Sequence, residues 1–105
     1  MFKKLIEMKY RTHNDEHINV AGTSHKGELT TTYGKLVELF GDPRKASGDG
    51  KTDAEWKIEF ENGEVASIYN YKNGAKYGNP NIESITEWNI GGYKSEVVNL
   101  IQELL

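Results

Sequence analysis

Tyr69-Asn70-Tyr71-Lys72-Asn73-Gly74-Ala75-Lys76-Tyr77 interleaves aromatic rings, amides and cations. A strip of this kind can stack a base or a nucleotide and offer positive charge to phosphate. Trp88 joins it if the strand that carries Trp88 pairs with the one running through Lys72. The plainer account is that Tyr69 and Tyr71 are core-edge tyrosines whose hydroxyls reach water. Asp53 and Glu55 stand two residues apart, a spacing that puts paired carboxylates on one strand face for acid–base hydrolysis. Glu59 and Glu61 repeat that spacing further along, where a solvated sheet face is the ordinary explanation. Asp53 is singled out because it stands where a Gly-rich loop enters a strand. No serine, threonine or lysine sits in a recognisable nucleophile motif, so the chain is expected to bind and not to catalyse.

Two other clusters invite chemistry and fall short of it. His13, Asp15, Glu16 and His17, with His25 nearby, have metal-ligating side chains, but the segment lacks the helical periodicity that would gather them. It is expected to be polar and partly ordered, with no metal. Gly48-Asp49-Gly50-Lys51-Thr52 looks like the end of a phosphate loop. Lys45 stands where that motif needs a further glycine, and a strand follows where a helix is required. The absence of cysteine excludes disulfides, thiolate zinc sites and cysteine nucleophiles.

At 105 residues and net charge −3 the chain is expected to be a single domain, 1–105, without the basic footprint of a dedicated nucleic-acid binder. Its polar balance is offset by two Trp, six Tyr and three Phe, enough for a packed core. No apolar run approaches a membrane span, no h-region follows Lys3-Lys4 and no Asn-X-Ser/Thr site appears, so a cytoplasmic address is expected.

Periodicity supplies the elements. Tyr33, Leu36, Val37 and Phe40 mark one helical face behind an N-capping Thr32, and Gly41 with Pro43 ends it. Ser95 and Glu96 open a second helix, whose apolar side is Val97, Val98, Leu100, Ile101, Leu104 and Leu105. Ile18 to Ala21 reads as a short strand and Ser24 to Thr30 as loop. Phe2, Leu5, Ile6 and Met8 fit either a strand or a helical turn, and 1–16 reads as a loosely ordered segment.

Trp56, Ile58 and Phe60 alternate with charges up to Asn62-Gly63, a strong hairpin signal. A two-residue turn there pairs Phe60 with Val65, Ile58 with Ser67 and Trp56 with Tyr69, placing all of them on one face. A three-residue loop with a bulge would instead bring Ala66 and Ile68 to that face. The first register is the one expected. Thr86, Trp88 and Ile90 make a third strand, stopped at Gly91-Gly92. The fold class expected is α+β: a two-layer sandwich in which two helices cover one face of an antiparallel meander, with a short N-terminal strand.

Tyr33-Gly34-Lys35-Leu36-Val37-Glu38-Leu39-Phe40-Gly41-Asp42-Pro43, Lys51 to Trp56, Ile68 to Lys72 and Ile85 to Gly92 together resemble a family of small proteins from tailed-phage genomes. The similarity spans about Gly27 to Leu105. Asn89 occupies a position where the family usually has histidine, which argues against a catalytic histidine there. A weaker likeness of supersecondary pattern links the helix–meander unit to β-lactamase-inhibitor-like and outer-membrane lipoprotein assembly domains, which bind proteins. The resemblance implies a phage or prophage accessory factor in the host cytoplasm, one for host takeover or anti-defence, that binds a host macromolecule and needs no cofactor. The runner-up is a nucleotide or nucleic-acid site on Tyr69, Tyr71, Lys72 and Trp88. A hydrolase using Asp53 and Glu55 comes third.

Overall fold

Antiparallel pairing joins all the strands of the computed structural model, which describes residues 9–45 and 48–105. The reading of Phe2 to Met8 lies outside the described residues. In chain order the elements are β1 (Tyr10–Thr12), β2 (Ser24–Thr30), α1 (Tyr33–Phe40), β3 (Arg44–Lys45), β4 (Ala54–Phe60), β5 (Val65–Tyr69), β6 (Glu87–Gly92) and α2 (Glu96–Leu104). Short 3-10 turns lie at Ala75–Tyr77 and Ile82–Ser84. The sheet runs β1-β4-β5-β6-β2 and is open, with β3 pairing the start of β4 beyond the reach of β1. The expected α+β sandwich is the architecture found.

Both helices form where the apolar spacing places them. The Thr32 hydroxyl accepts from the Lys35 N–H, and the Gly41 N–H bonds back to Val37 to close α1. Ser95 precedes α2, but its side chain makes no capping bond. Leu36 and Phe40 of α1, with Val97 and Ile101 of α2, are buried against Trp56, Ile58, Ile68, Trp88 and Ile90. Val97 and Val98 rest on Gly92 and Gly27, where an added Cβ would come within 2.7 and 2.9 Å of valine methyls. Both glycines share the sheet face of Ile90 through the strand register, so that face carries α2.

The hairpin takes the three-residue loop, and the expected register is corrected by one residue. Ile58 pairs with Ala66 and Trp56 with Ile68. Phe60 and Glu64 close the loop, and Gly63 adopts φ +91°. The left-handed glycine inserts the extra residue of a bulge, and a one-residue slip flips every side chain of β5. Ala66 and Ile68 therefore lie beneath the helices, while Val65, Ser67 and Tyr69 face the other way. This register buries an isoleucine in the core in place of a serine and a tyrosine, which is the better use of apolar surface. Gly63→Ala should cost about 1–2 kcal/mol, the penalty of a Cβ in the left-handed region, and Gly63→Asn less. Denaturant midpoints of the two variants check this; equal losses would mean that the positive φ does not matter.

Four further expectations are revised. Ile18 to Ala21 is not a strand; the strand is Ser24–Thr30, where a loop was expected. A bulge between His25 and Gly27 breaks its alternation. Arg44–Lys45 forms a short strand at the loop's entrance, and β6 continues through Gly91 and Gly92.

β1 and β2 lie at opposite edges of the sheet, so residues 13–23 must cross it. They cross on the helix-free face, since Val20 and Thr23 line a groove there with Ser67 and Tyr69. The Tyr93 hydroxyl donates to the Ala21 carbonyl and ties down the far end of the crossing. Ile18, within it, is buried apart from the core cluster. Among the described residues no helix is long and apolar enough to cross a membrane.

Candidate functional site

On the helix-free face the strand register lays out two adjacent rows. One runs Arg44, Glu55, Tyr69, Asn89, Glu28; the next runs Lys57, Ser67, Gly91, His25. The crossing segment covers part of these rows and leaves a groove of about 440 Å³ beside it. Arg44 and Lys45 stand at one end, His25 at the other, and Tyr69 with Tyr71 between them.

Each side chain reaches the groove for a local reason. Tyr69 is held between its cross-strand neighbours Glu55 and Asn89. Burial pushes its phenol pKa up, and the nearby Glu55 carboxylate and Tyr71 push it the same way. The hydroxyl is therefore a neutral donor at physiological pH. Tyr71 lies two residues on, on the same side, and is 46% exposed. Past it the chain turns away through Lys72 at φ 58°, whose N–H donates to the Lys51 carbonyl at 2.7 Å. The bulge in β2 turns His25 toward the groove, with Nε2 3.6 Å from the Glu28 carboxylate.

Ser67 and Gly91 form the floor. Ser67 is only 4% exposed, yet its hydroxyl has no hydrogen-bond partner among the described residues and opens onto the groove. A Cβ on Gly91 would stand 2.8 Å from that hydroxyl and 3.6 Å from the Tyr69 ring, so glycine keeps the floor open. Arg44 and Lys45 are exposed and have no ion-pair partner among the described residues.

Of the residues singled out in the sequence, Tyr69 and Tyr71 converge as expected. Lys72 does not line the groove; its Nζ lies 5.3 Å from the centre of the Tyr71 ring. Trp88 is not part of this surface. It is 1% exposed on the opposite face, edge-on to Trp56 at 5.5 Å, and its indole N–H donates to the Thr31 carbonyl. β6 does pair with β5, but Trp88 follows Ile90 onto the core face while Asn89 faces the groove.

Asp53 holds a loop together. Its carboxylate accepts from Asn70 Nδ2 at 3.0 Å and from the Ala75 N–H at 3.2 Å. Asn70 Oδ1 accepts in return from the Asp53 and Ala54 N–H groups at 2.7 and 3.0 Å. Glu55 faces the groove instead, so the two carboxylates serve different surroundings. The histidines are likewise dispersed. His13 Nδ1 lies 3.3 Å from the Lys57 N–H and its Nε2 2.9 Å from the Asp42 carbonyl, so the ring bridges β4 and the turn after α1. Among the described residues no group of three or more acidic or histidine side chains is placed to hold a metal ion.

Sequence reading weighed His25 only beside a metal-ligating cluster, and missed Arg44, Lys45 and Ser67. The hairpin's alternative register would have turned Ser67 outward. Nothing local marks the other two, which long-range pairing brings together with His25. No protein-family model, curated protein or solved structure matches the chain. The class is therefore set by architecture: an open α+β sandwich with a polar–aromatic groove on its helix-free face.

Proposed function

We propose that this is a small binding protein of phage type that captures its target and does not turn it over, with the target seated in the groove beside Tyr69 and Tyr71. The observation that carries the reading is Ser67, a largely buried residue whose hydroxyl keeps its access to solvent through a concavity that an adjacent glycine holds open. A hydroxyl that no protein group engages, at the floor of a groove, is available to hydrogen-bond what enters it. A volume near 440 Å³ lies within the roughly 300–1,000 Å³ of small-molecule sites, which favours a small ligand over a flat macromolecular contact. The resemblance in Tyr33 to Pro43 and Ile85 to Gly92 supports a phage accessory factor at work in the host cytoplasm, where capture of a host molecule would serve takeover or anti-defence. A host macromolecule is the second reading, favoured by the exposed Tyr71–Lys72 pair beside the groove's aromatic wall.

Native mass spectrometry of protein purified from host lysate tests this. The wild-type chain should carry a small molecule that Tyr69→Ala and Tyr71→Ala lose while circular dichroism stays unchanged. Equal loading of wild type and both variants would place binding elsewhere. A retained host protein that Tyr71→Ala with Lys72→Ala releases would establish the second reading.

A further inference from the structure

We infer that the groove takes a nucleotide, with its phosphate at Arg44 and Lys45 and its base against Tyr69 and Tyr71. The inference rests on the groove reading above and adds the chemical class of the ligand. Three independent demands meet in this one concavity. The first is for an anion. In a chain of net charge −3, two adjacent cations stand at one end of the groove without an ion-pair partner among the described residues. The Arg44 guanidinium, opposite Glu55 on the groove side of the strand, suits phosphate, which it can engage through two parallel N–H bonds, and Lys45 next to it lines the same end.

The second demand is for a flat ring. Tyr69 and Tyr71 lie two residues apart on one side of the sheet, and a smaller hollow over their rings, between His25 and Asn89, continues the groove. Aromatic platforms of this kind accept bases of any identity because each base has a π face. The third demand is for hydrogen-bonding edges between ring and anion. The Glu55 carboxylate, which forms no ion pair among the described residues, accepts from a ribose hydroxyl or an exocyclic amine, and the Ser67 hydroxyl donates or accepts. Arg44 and Tyr69 stand two strand spacings apart, roughly 10 Å, a reach that a nucleotide spans from phosphate to base. A simple carboxylate leaves the rings bare, a nucleoside leaves the cations bare, and a sugar phosphate lacks the flat face. A nucleotide meets all three demands.

Calorimetry on the full chain decides it, using ADP, UDP, adenosine and inorganic phosphate as probes at low and raised salt. A nucleotide should bind at least about tenfold more tightly than either fragment, and its affinity should fall with salt. Arg44→Ala with Lys45→Ala, both at exposed positions, should weaken nucleotide binding by about 10–100-fold, the worth of charge-assisted hydrogen bonds, and leave any adenosine binding unchanged. Ser67→Ala should weaken nucleotide and nucleoside alike.

No binding of either nucleotide at millimolar concentration overturns the inference. So does nucleotide affinity unaltered by the double variant, or a single-stranded oligonucleotide that binds far more tightly than any mononucleotide. The failure of the class is separable from failure of the groove. If nucleotides fail while mass spectrometry finds another small molecule on wild type that Tyr69→Ala loses, the nucleotide assignment falls and the groove stands. If Tyr69→Ala carries the same load as wild type, both fall.

Discussion

Trp56→Ala should lower stability by about 3–5 kcal/mol, the range for removing a large buried aromatic side chain. Trp56 is fully buried at the middle of β4, where it joins three parts of the fold. Its ring meets Trp88 of β6 edge-on at 5.5 Å and Tyr33 of α1 at 5.9 Å. Its indole N–H donates to the Gly41 carbonyl at 2.8 Å, fastening the end of α1 to the sheet. Truncation therefore opens a cavity, removes two ring contacts and strips an acceptor of its donor. Trp56→Phe restores most of the area without the N–H, so it should recover more than half of the loss. Urea midpoints measure both, with an unchanged slope showing that the denatured state is the same. A loss below about 1 kcal/mol for the alanine variant would mean that β4 does not bury this face.

Asn70→Ala should be comparably severe, on the order of 3–5 kcal/mol, through polar groups left buried and unpaired. Asn70 is fully buried, and its amide serves four partners: the N–H groups of Asp53 and Ala54, the Asp53 carboxylate and the Asn73 side chain. Asn73 in turn donates to the Glu87 carbonyl on β6. Gly74 lies so near the Asp53 carboxylate that a Cβ there would collide with it. One amide thus joins the entrance of β4, the exit of β5 and the loop beyond.

Asn70→Asp separates acceptor from donor. It keeps an oxygen for the two N–H groups but sets a buried carboxylate against that of Asp53. Burial and like charge both raise the new group's folded pKa above its unfolded value near 3.9. Its neutral form is then the one the fold favours. Relative to wild type, the deficit should be smallest below about pH 4 and should grow as pH rises through the folded pKa. Chemical denaturation at pH 4 and pH 7 reads the difference; a deficit independent of pH would show that the new carboxyl is neither desolvated nor repelled by Asp53.

Local signals were sufficient for α1, α2, β4 and β6. Leu36 and Phe40 bury at helical spacing, the Thr32 hydroxyl caps, and Trp56, Ile58 and Phe60 alternate inward. They could not settle the hairpin register, because Asn62-Gly63 suits either a two-residue turn or a longer loop with its glycine at the left-handed position. Preference for Ile68 over Tyr69 in the core was the available clue. β2 was hidden because only Leu29 of Ser24–Thr30 is both apolar and buried, and Gly27 makes room for Val98. The same gap hid half of the candidate site. Tyr69 and Tyr71 are evident from their own segment, whereas His25 and Arg44 approach them only after strands far apart in sequence have paired. Trp88 was misplaced for a related reason, since its side of β6 depends on the register of β5.

The crossing segment also dictates a timetable for synthesis. β2 is placed by β6, and the bond from the Trp88 indole to the Thr31 carbonyl joins residues 57 apart in the chain. At about 5–20 residues per second, roughly 3–11 s separate their appearance from the ribosome. β4 and β5 can close their hairpin while β2 still waits with no β6 to pair. The groove, which needs His25 brought across to Tyr69, is then among the last features to form, and refolding should be slow for a domain of this size because its decisive pairings are distant ones.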